Sequence, residues 1–284
     1  MSTNSPNLSK AQRREAARAE ALALKQKQAA RDRRNRIVTL GVLGVVLVAL
    51  AAIVIYILGQ SDTGSGPEVE DIPLSEVATV PAPARADGGI PVGTDGVAGG
   101  EGAADAPEVG VYFDYMCPIC GDFEAANTAS IEAMMSSGAA NVVFHPVSIL
   151  DRASAGTAFS TRSAAAAAWV ADRAPEHFLE FHDTLFANQP AERSRGLSNR
   201  EMADLAVEAG VPQDVADGIA DGTAHQDYGQ WVYSVTRQVT ADEALANPQT
   251  GGFGTPTVTI DGERWGGDWR DPAALQQAVA EAAR

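Results

Sequence analysis

The run "IVTLGVLGVVLVALAAIVIYILG", residues 37–59, carries no charge, and only Thr39 and Tyr56 interrupt it with polar groups. As a helix, its 23 residues would extend about 35 Å, against a bilayer hydrocarbon core of about 30 Å. A cleaved signal peptide is the competing reading, but its apolar core is only about 7–15 residues and ends at a small-residue site. Here the core is longer, 36 residues precede it and no A-x-A follows. A retained transmembrane helix over 37–59 is therefore expected. "RDRRNR", residues 31–36, lies directly before the span, and "QSDTGSGPEVED" follows it without a Lys or Arg. The positive-inside rule then puts the N-terminus in the cytosol and the long remainder outside, as a single-pass membrane protein.

Charge divides the chain at the same place. Residues 1–36 carry ten Lys/Arg against three Asp/Glu, and the chain after residue 58 carries eleven Arg against 34 Asp/Glu. The acidic part is not built to coat nucleic acid. The basic segment, 1–36, serves as a topology signal, with contact to anionic lipid as a further reading. Residues 60–88 are rich in Gly, Pro, Ser, Asp and Ala and read as a flexible linker.

A folded domain is expected over 89–284. "IPVGT" and "GVAGG" read as a short strand pair at an edge, "EVGVYFDY" (108–115) as a buried strand and "NVVFHPVSI" (141–149) as another. Between the last two, "GDFEAANTASIEAMMSS" reads as a helix closed by Gly138. A helical stretch occupies about 150–246. It includes "PEHFLEFHDTLF", with Phe178, Phe181 and Leu185 on one face, and a segment opened by a capping box of Ser198 and Glu201. Further helices are expected near 212–221 and 224–246. "TPTVTI" (255–260) is a strand, Asp261-Gly262 a two-residue hairpin turn into "ERW", and Asp271-Pro272 opens a last helix. This order makes the domain α/β with a helical insertion.

Both cysteines of the chain, Cys117 and Cys120, stand three apart at the end of a predicted strand, where a helix begins. Three readings compete. A structural staple across so short a loop contributes only about 2 kcal/mol, against about 4.7 kcal/mol for a loop of a hundred residues. Tetrahedral zinc takes four Cys/His ligands, and His145, His177, His182 and His225 show no paired ligand spacing. A redox couple fits best: two thiols at a helix start can close a reversible disulfide, and the helix dipole stabilises a thiolate there. Pro118 suits the first helical turn, where its missing N–H costs nothing. An oxidising compartment and the lack of a third cysteine agree with that reading.

"FDYMCPICGDFE" resembles the active-site strand and helix of DsbA-type thiol–disulfide oxidoreductases, on the thioredoxin fold. "GTPTVTIDG", residues 254–262, resembles that family's cis-proline loop. The 139 residues from Cys117 to Pro256 fit the helical insertion of the DsbA branch, and "FHDTLFANQP" (181–190) resembles part of it. The resemblance covers residues about 89–284. The arginine-rich N-terminus, single anchor and lysine-poor domain are similar to membrane-anchored members from high-GC Gram-positive bacteria.

The resemblance implies that Cys117 is the exposed nucleophile, Cys120 the buried resolving thiol and Pro256 the cis-proline facing them. Thr255 would pair its backbone with a substrate strand, beside Pro118 and Ile119. It implies no bound cofactor or metal. It also implies secreted cysteine-containing proteins as substrates and a quinone-linked membrane reoxidant of DsbB or vitamin-K-epoxide-reductase-like type. The expected function is an extracytoplasmic oxidoreductase that introduces disulfides. A reductase on the same scaffold, as in cytochrome c maturation, and a non-catalytic binding or chaperone module are the alternatives.

Two positions depart from the family pattern. Ile119 stands where DsbA itself has a histidine, and Val111 where members often carry a glutamate. Asp114, the nearest acid, falls on the strand face opposite Val111 by alternation, as a strand-end polar residue or a proton-transfer group. The histidines read as packing or surface residues, and the tryptophans at 169, 231, 265 and 269 as core or groove lining.

Overall fold

The structure is a computed structural model and describes residues 69–284. The predicted span and basic arm lie outside the described residues. Among those described, no helix is long and apolar enough to cross a membrane.

Five strands form one sheet: β1 (Ile90–Val92), β2 (Glu108–Phe113), β3 (Asn141–Pro146), β4 (Thr257–Ile260) and β5 (Glu263–Arg264), in the order β1-β3-β2-β4-β5. The central strand, β2, runs parallel to β3, with Tyr112 opposite His145, and antiparallel to β4, with Val111 opposite Val258. Residues 109–113 are all buried, so β2 reads as a continuous apolar run instead of an alternating one. Asp261 and Gly262 both take positive φ, which closes the two-residue turn between β4 and β5. Helix α1 (Pro118–Ser136) joins β2 to the parallel β3, and a helix is the usual way to make such a crossover. Gly138, at φ +70°, ends it.

Five helices lie between β3 and β4: α2 (Phe159–Arg173), α3 (Phe178–Ala187), α4 (Asn199–Glu208), α5 (Gln213–Ala220) and α6 (Thr223–Ala241). In α2 the five consecutive residues Ala164 to Ala168 are all fully buried. Methyl-sized side chains let neighbouring helices approach the axis on every side, α6 above all. Trp169 follows the alanines in the same helix. Its Nε1 donates to the Val215 carbonyl at 2.8 Å, and the Arg173 guanidinium lies 3.7 Å from its ring centroid. The capping box at the start of α4 is complete: Ser198 Oγ accepts from the Glu201 amide, and the Glu201 carboxylate accepts from the Ser198 amide. The last helix, α7 (Pro272–Ala282), packs along α1, where Gln276 donates to Ser130.

The expected linker ends earlier than residue 88. Leu74 and Val77 are buried, the Ser234 hydroxyl of α6 donates to the Ile72 carbonyl at 3.1 Å, and Gln230 exchanges hydrogen bonds with the Glu70 backbone. Arg85 bridges Asp87 and Glu108. Composition concealed this, because three apolar residues, Ile72, Leu74 and Val77, are enough to hold the segment on α6. Trp231 is core and Trp169 nearly so, whereas Trp265 and Trp269 are partly covered.

Candidate active site

After β2 the chain bends through Asp114, Tyr115 and Met116, and enters α1 with Cys117 as its N-cap. The Cys117 amide donates to the Asp114 carbonyl at 2.9 Å. Its own carbonyl accepts from the amides of Cys120 at 3.0 Å and Gly121 at 3.2 Å. Pro118 occupies the first helical position, where no N–H is needed. Ile119 follows, 49% exposed, as one of the few large apolar side chains left open. Cys120 is wholly buried, and Cys117 is 6% exposed. Cys117 is thus less open than an exposed nucleophile, because the loop before β4 lies over it. Cys117 Sγ is 3.5 Å from the Thr255 carbonyl oxygen, and the Thr255–Pro256 peptide is cis. Thr257 Oγ1 donates to the Gly254 carbonyl and closes this loop on itself.

The two sulfurs differ in acidity. The Cys117 thiol is lowered to about 6 by a hydrogen bond from the Cys120 thiol, against its own burial. The Thr255 side chain and the amides of Cys120 and Ile119 add to the lowering. Thr255 Oγ1 is buried and has no other partner. Burial first, and then the hydrogen bond and charge of Cys117, push the Cys120 thiol well up. Together with the Cys120 thiol, the helix-terminal amides stabilise the thiolate and outweigh the cost of its burial.

A family model described as Thioredoxin matches residues 97–281. DsbA from Mycobacterium tuberculosis, in its oxidised form, superposes with a TM-score of 0.54 at 29% identity, covering 69% of this chain and 92% of that one. The reduced disulfide oxidoreductase DsbG from the same organism gives 0.52 at 34% identity, covering 62% and 77%. The chain belongs to the thioredoxin family, in its DsbA-like branch. The thiol–disulfide oxidoreductase MdbA from Actinomyces oris has the same fold, with a TM-score of 0.58 at 24% identity, covering 74% and 93%. A comparison with curated proteins returns no significant match. Like its structural relatives, this DsbA-like protein is a disulfide oxidoreductase.

Around the cysteines of this DsbA-like site, Val111 is fully buried and supplies no acid. Asp114 is fully buried too. Its carboxylate accepts from the Met116 amide at 2.8 Å and the Leu150 amide at 2.9 Å, so it ties the bend after β2 to the segment that enters the helical insertion. Burial pushes its carboxyl up to about 7, although the Ser160 hydroxyl and these two amides favour the charged form. That pair of amide bonds is what the reading of a strand-end polar residue requires.

Sequence reasoning gave no site role to two side chains that the insertion brings to the site. His182 of α3 is buried, and its Nδ1 lies 3.0 Å from the Tyr115 hydroxyl. Its Nε2 is 3.4 Å from Glu124 Oε1 on α1, with Thr128 donating to the other oxygen of Glu124. Gln189, just after α3, donates from Nε2 to the carbonyls of Tyr115 at 3.1 Å and Cys117 at 2.8 Å. The run "FHDTLFANQP" contains His182 and Gln189, but helical periodicity alone gives no sign that they reach a strand end in the other half of the fold. Among the other histidines, His145 stacks on Tyr112 at 4.0 Å, and burial lowers it to about 4. His225 is lowered to about 4 by burial as well.

Proposed function

We propose that this protein donates disulfides to secreted cysteine-containing proteins outside the cytoplasm, through the C-P-I-C pair Cys117 and Cys120. The observation that supports the reading is the inequality of the two sulfurs: Cys117, at the helix start beside Thr255 and Pro256, holds a stabilised thiolate, and Cys120 behind it does not. Starting from the Cys117–Cys120 disulfide, a substrate thiolate attacks the Cys117 sulfur. A substrate–Cys117 disulfide forms, the bond to Cys120 breaks, and Cys120 leaves as a thiolate that takes up a proton. A second substrate thiolate then attacks the substrate sulfur of this mixed disulfide and expels Cys117. The substrate has lost two electrons and two protons, and the protein has become a dithiol. A leaving thiol with a pKa about 6 departs readily and favours the reduced protein, which makes the couple oxidising. The same property disfavours the reductase reading. Thr255 and the exposed Ile119 border the sulfur, where a substrate backbone can pair and an apolar side chain can rest.

The uncharged span 37–59 holds the domain to the cell membrane with the basic N-terminus inside, and a quinone-linked membrane oxidase of DsbB or vitamin-K-epoxide-reductase-like type regenerates the disulfide. Equilibrating the purified domain with glutathione buffers tests the direction. A potential between the reference values of about −120 mV for DsbA and about −270 mV for thioredoxin is expected. A value at or below thioredoxin's would turn the assignment to a reductase. In cells, Cys120→Ser should accumulate mixed disulfides with secreted proteins and Cys117→Ser should not. External protease on spheroplasts should release a soluble piece containing Cys117. Protection of that piece would overturn the topology.

A further inference from the structure

Gln189 reaches the active-site bend from the helical insertion. It follows α3 in the helical insertion, and the Gln189 amide donates to the Phe186 carbonyl at 3.1 Å as that helix ends. Its side-chain Nε2 reaches across to the active-site bend and donates to the Tyr115 and Cys117 carbonyls, one residue apart on either side of Met116. The Cys117 carbonyl already accepts the amides of Cys120 and Gly121, so the primary amide of Gln189 is a further donor on the oxygen that opens α1. The other end of the side chain lies against Gly121. A Cβ placed on Gly121 would come within 2.5 Å of Gln189 Oε1. Gly121 lies in the first turns of a helix with a φ that any residue can adopt, where glycine is disfavoured by about 1 kcal/mol relative to alanine. Room for the Gln189 amide is a physical reason for a glycine there.

We propose that Gln189 is a positioning residue for thiol exchange. Its carboxamide clamps the two carbonyls flanking Met116, turns the positive end of its dipole toward the Cys117 turn, and so keeps the Cys117 sulfur reactive. This inference rests on the reading of Cys117 as the nucleophile. The clamp acts in two ways. It fixes the bend that carries Cys117, so that the amides of Ile119 and Cys120 stay aimed at the sulfur. Its N–H donors also offset the negative carbonyl ends nearest the thiolate. Both effects are lost together when the amide is removed, and a carboxylate in its place reverses the second. The helical insertion thereby becomes part of the redox machinery as well as a cover for it.

The test compares wild type, Gln189→Leu, Gln189→Glu and Gly121→Ala in the full chain, purified in detergent. Thiolate absorbance is followed against pH, and each protein is equilibrated with glutathione. Gln189→Leu should raise the Cys117 pKa by about half a unit or more and lower the equilibrium constant for oxidising glutathione by about threefold or more, the span of one neutral hydrogen bond. Gln189→Glu should move both further in the same direction. Gly121→Ala should displace the amide, reproduce the Gln189→Leu shift and add little to it in the double variant. Gly121→Ala also keeps the test decisive if the Gln189 variants fold poorly. An unchanged pKa and equilibrium in both Gln189→Leu and Gly121→Ala, with melting temperatures of oxidised and reduced forms falling equally, would leave Gln189 a structural residue only and overturn the clamp. A wild-type protein that does not equilibrate with glutathione at all would instead overturn the reading of Cys117 on which the clamp rests.

Discussion

Two regions border the C-P-I-C turn. On one side the Thr255–Pro256 loop, supplied by the sheet, brings a carbonyl to 3.5 Å from Cys117 Sγ and an otherwise unpartnered hydroxyl close to both sulfurs. On the other side the insertion supplies Gln189, which donates to two backbone carbonyls, and the Leu150 amide, which donates to the Asp114 carboxylate. The sheet side faces the Cys117 sulfur and leaves polar groups free for a partner. The insertion side commits these donors to holding the bend that carries Cys117. A reactive sulfur needs both: a neighbour that can exchange bonds and a support that cannot.

The largest expected effect comes from removing the proposed nucleophile. Cys117→Ser should reduce disulfide transfer to a reduced model peptide to the uncatalysed rate; residual turnover would move the nucleophile elsewhere. The same variant carries a pH signature. The Cys117 pKa falls from 9.0 to about 6 on folding, so its contribution to stability is complete above about 9 and disappears as pH drops through about 6. Denaturation of the reduced protein should show that loss between pH 9 and 6, and reduced Cys117→Ser should not.

Gly218→Ala probes the insertion far from the turn. Its Cβ would come within 2.4 Å of the Trp169 ring, and overpacking of this kind costs about 1–3 kcal/mol. Calorimetry should show a lower melting temperature with an unchanged Cys117 titration. A moved thiol pKa would mean that reactivity depends on the whole insertion and not on the residues that touch the turn. Asp114→Asn probes the join between the regions. Two amides donate to this side chain, so an NH₂ in place of one oxygen sets donor against donor, at a cost of about 1–3 kcal/mol. Its sign in pH is opposite to that of Cys117. A carboxyl raised from 3.8 to about 7 binds its proton more tightly when folded, so wild-type stability should fall as pH rises between those values, and the Asn variant should lack that slope. The smallest effect belongs to Ile119→His. An imidazolium beside the turn should lower the Cys117 pKa and raise the potential by amounts read from absorbance and glutathione equilibration. If neither moves, the dipeptide does not set the poise.

The sequence told one of these regions far better than the other. The strand that ends at Phe113, the helix that Pro118 opens and the Asp261–Gly262 turn are all written in local chemistry: apolar runs, a fixed φ, a pair of residues that tolerate positive φ. The cysteines stood out because they are the only two and are three apart. Gln189 and His182 carry no such mark. Each lies in an ordinary amphipathic stretch, and its hydrogen-bond partners at the bend after β2 are 67 to 74 residues away along the chain. Asp114 was legible as an acid at a strand end but not as one that binds Leu150, 36 residues on. The segment at 72–77 misled in the other direction, since a background of Pro, Gly and Ser outweighed the few apolar residues that anchor it.

The alanine run of α2 has a consequence for how this protein can vary. Read as letters, residues 164–168 are the least informative stretch of the domain, close to low complexity. In the fold each of them is fully covered, so every site on the helix circumference faces a neighbour at methyl distance. Any larger residue meets a wall, and glycine loosens the helix. In a saturation mutagenesis screen these five positions should tolerate fewer replacements than Ile119, which lies next to the chemistry and faces solvent. Proximity to the active centre and freedom to diverge are thus inverted here: the plainest sequence is the least replaceable.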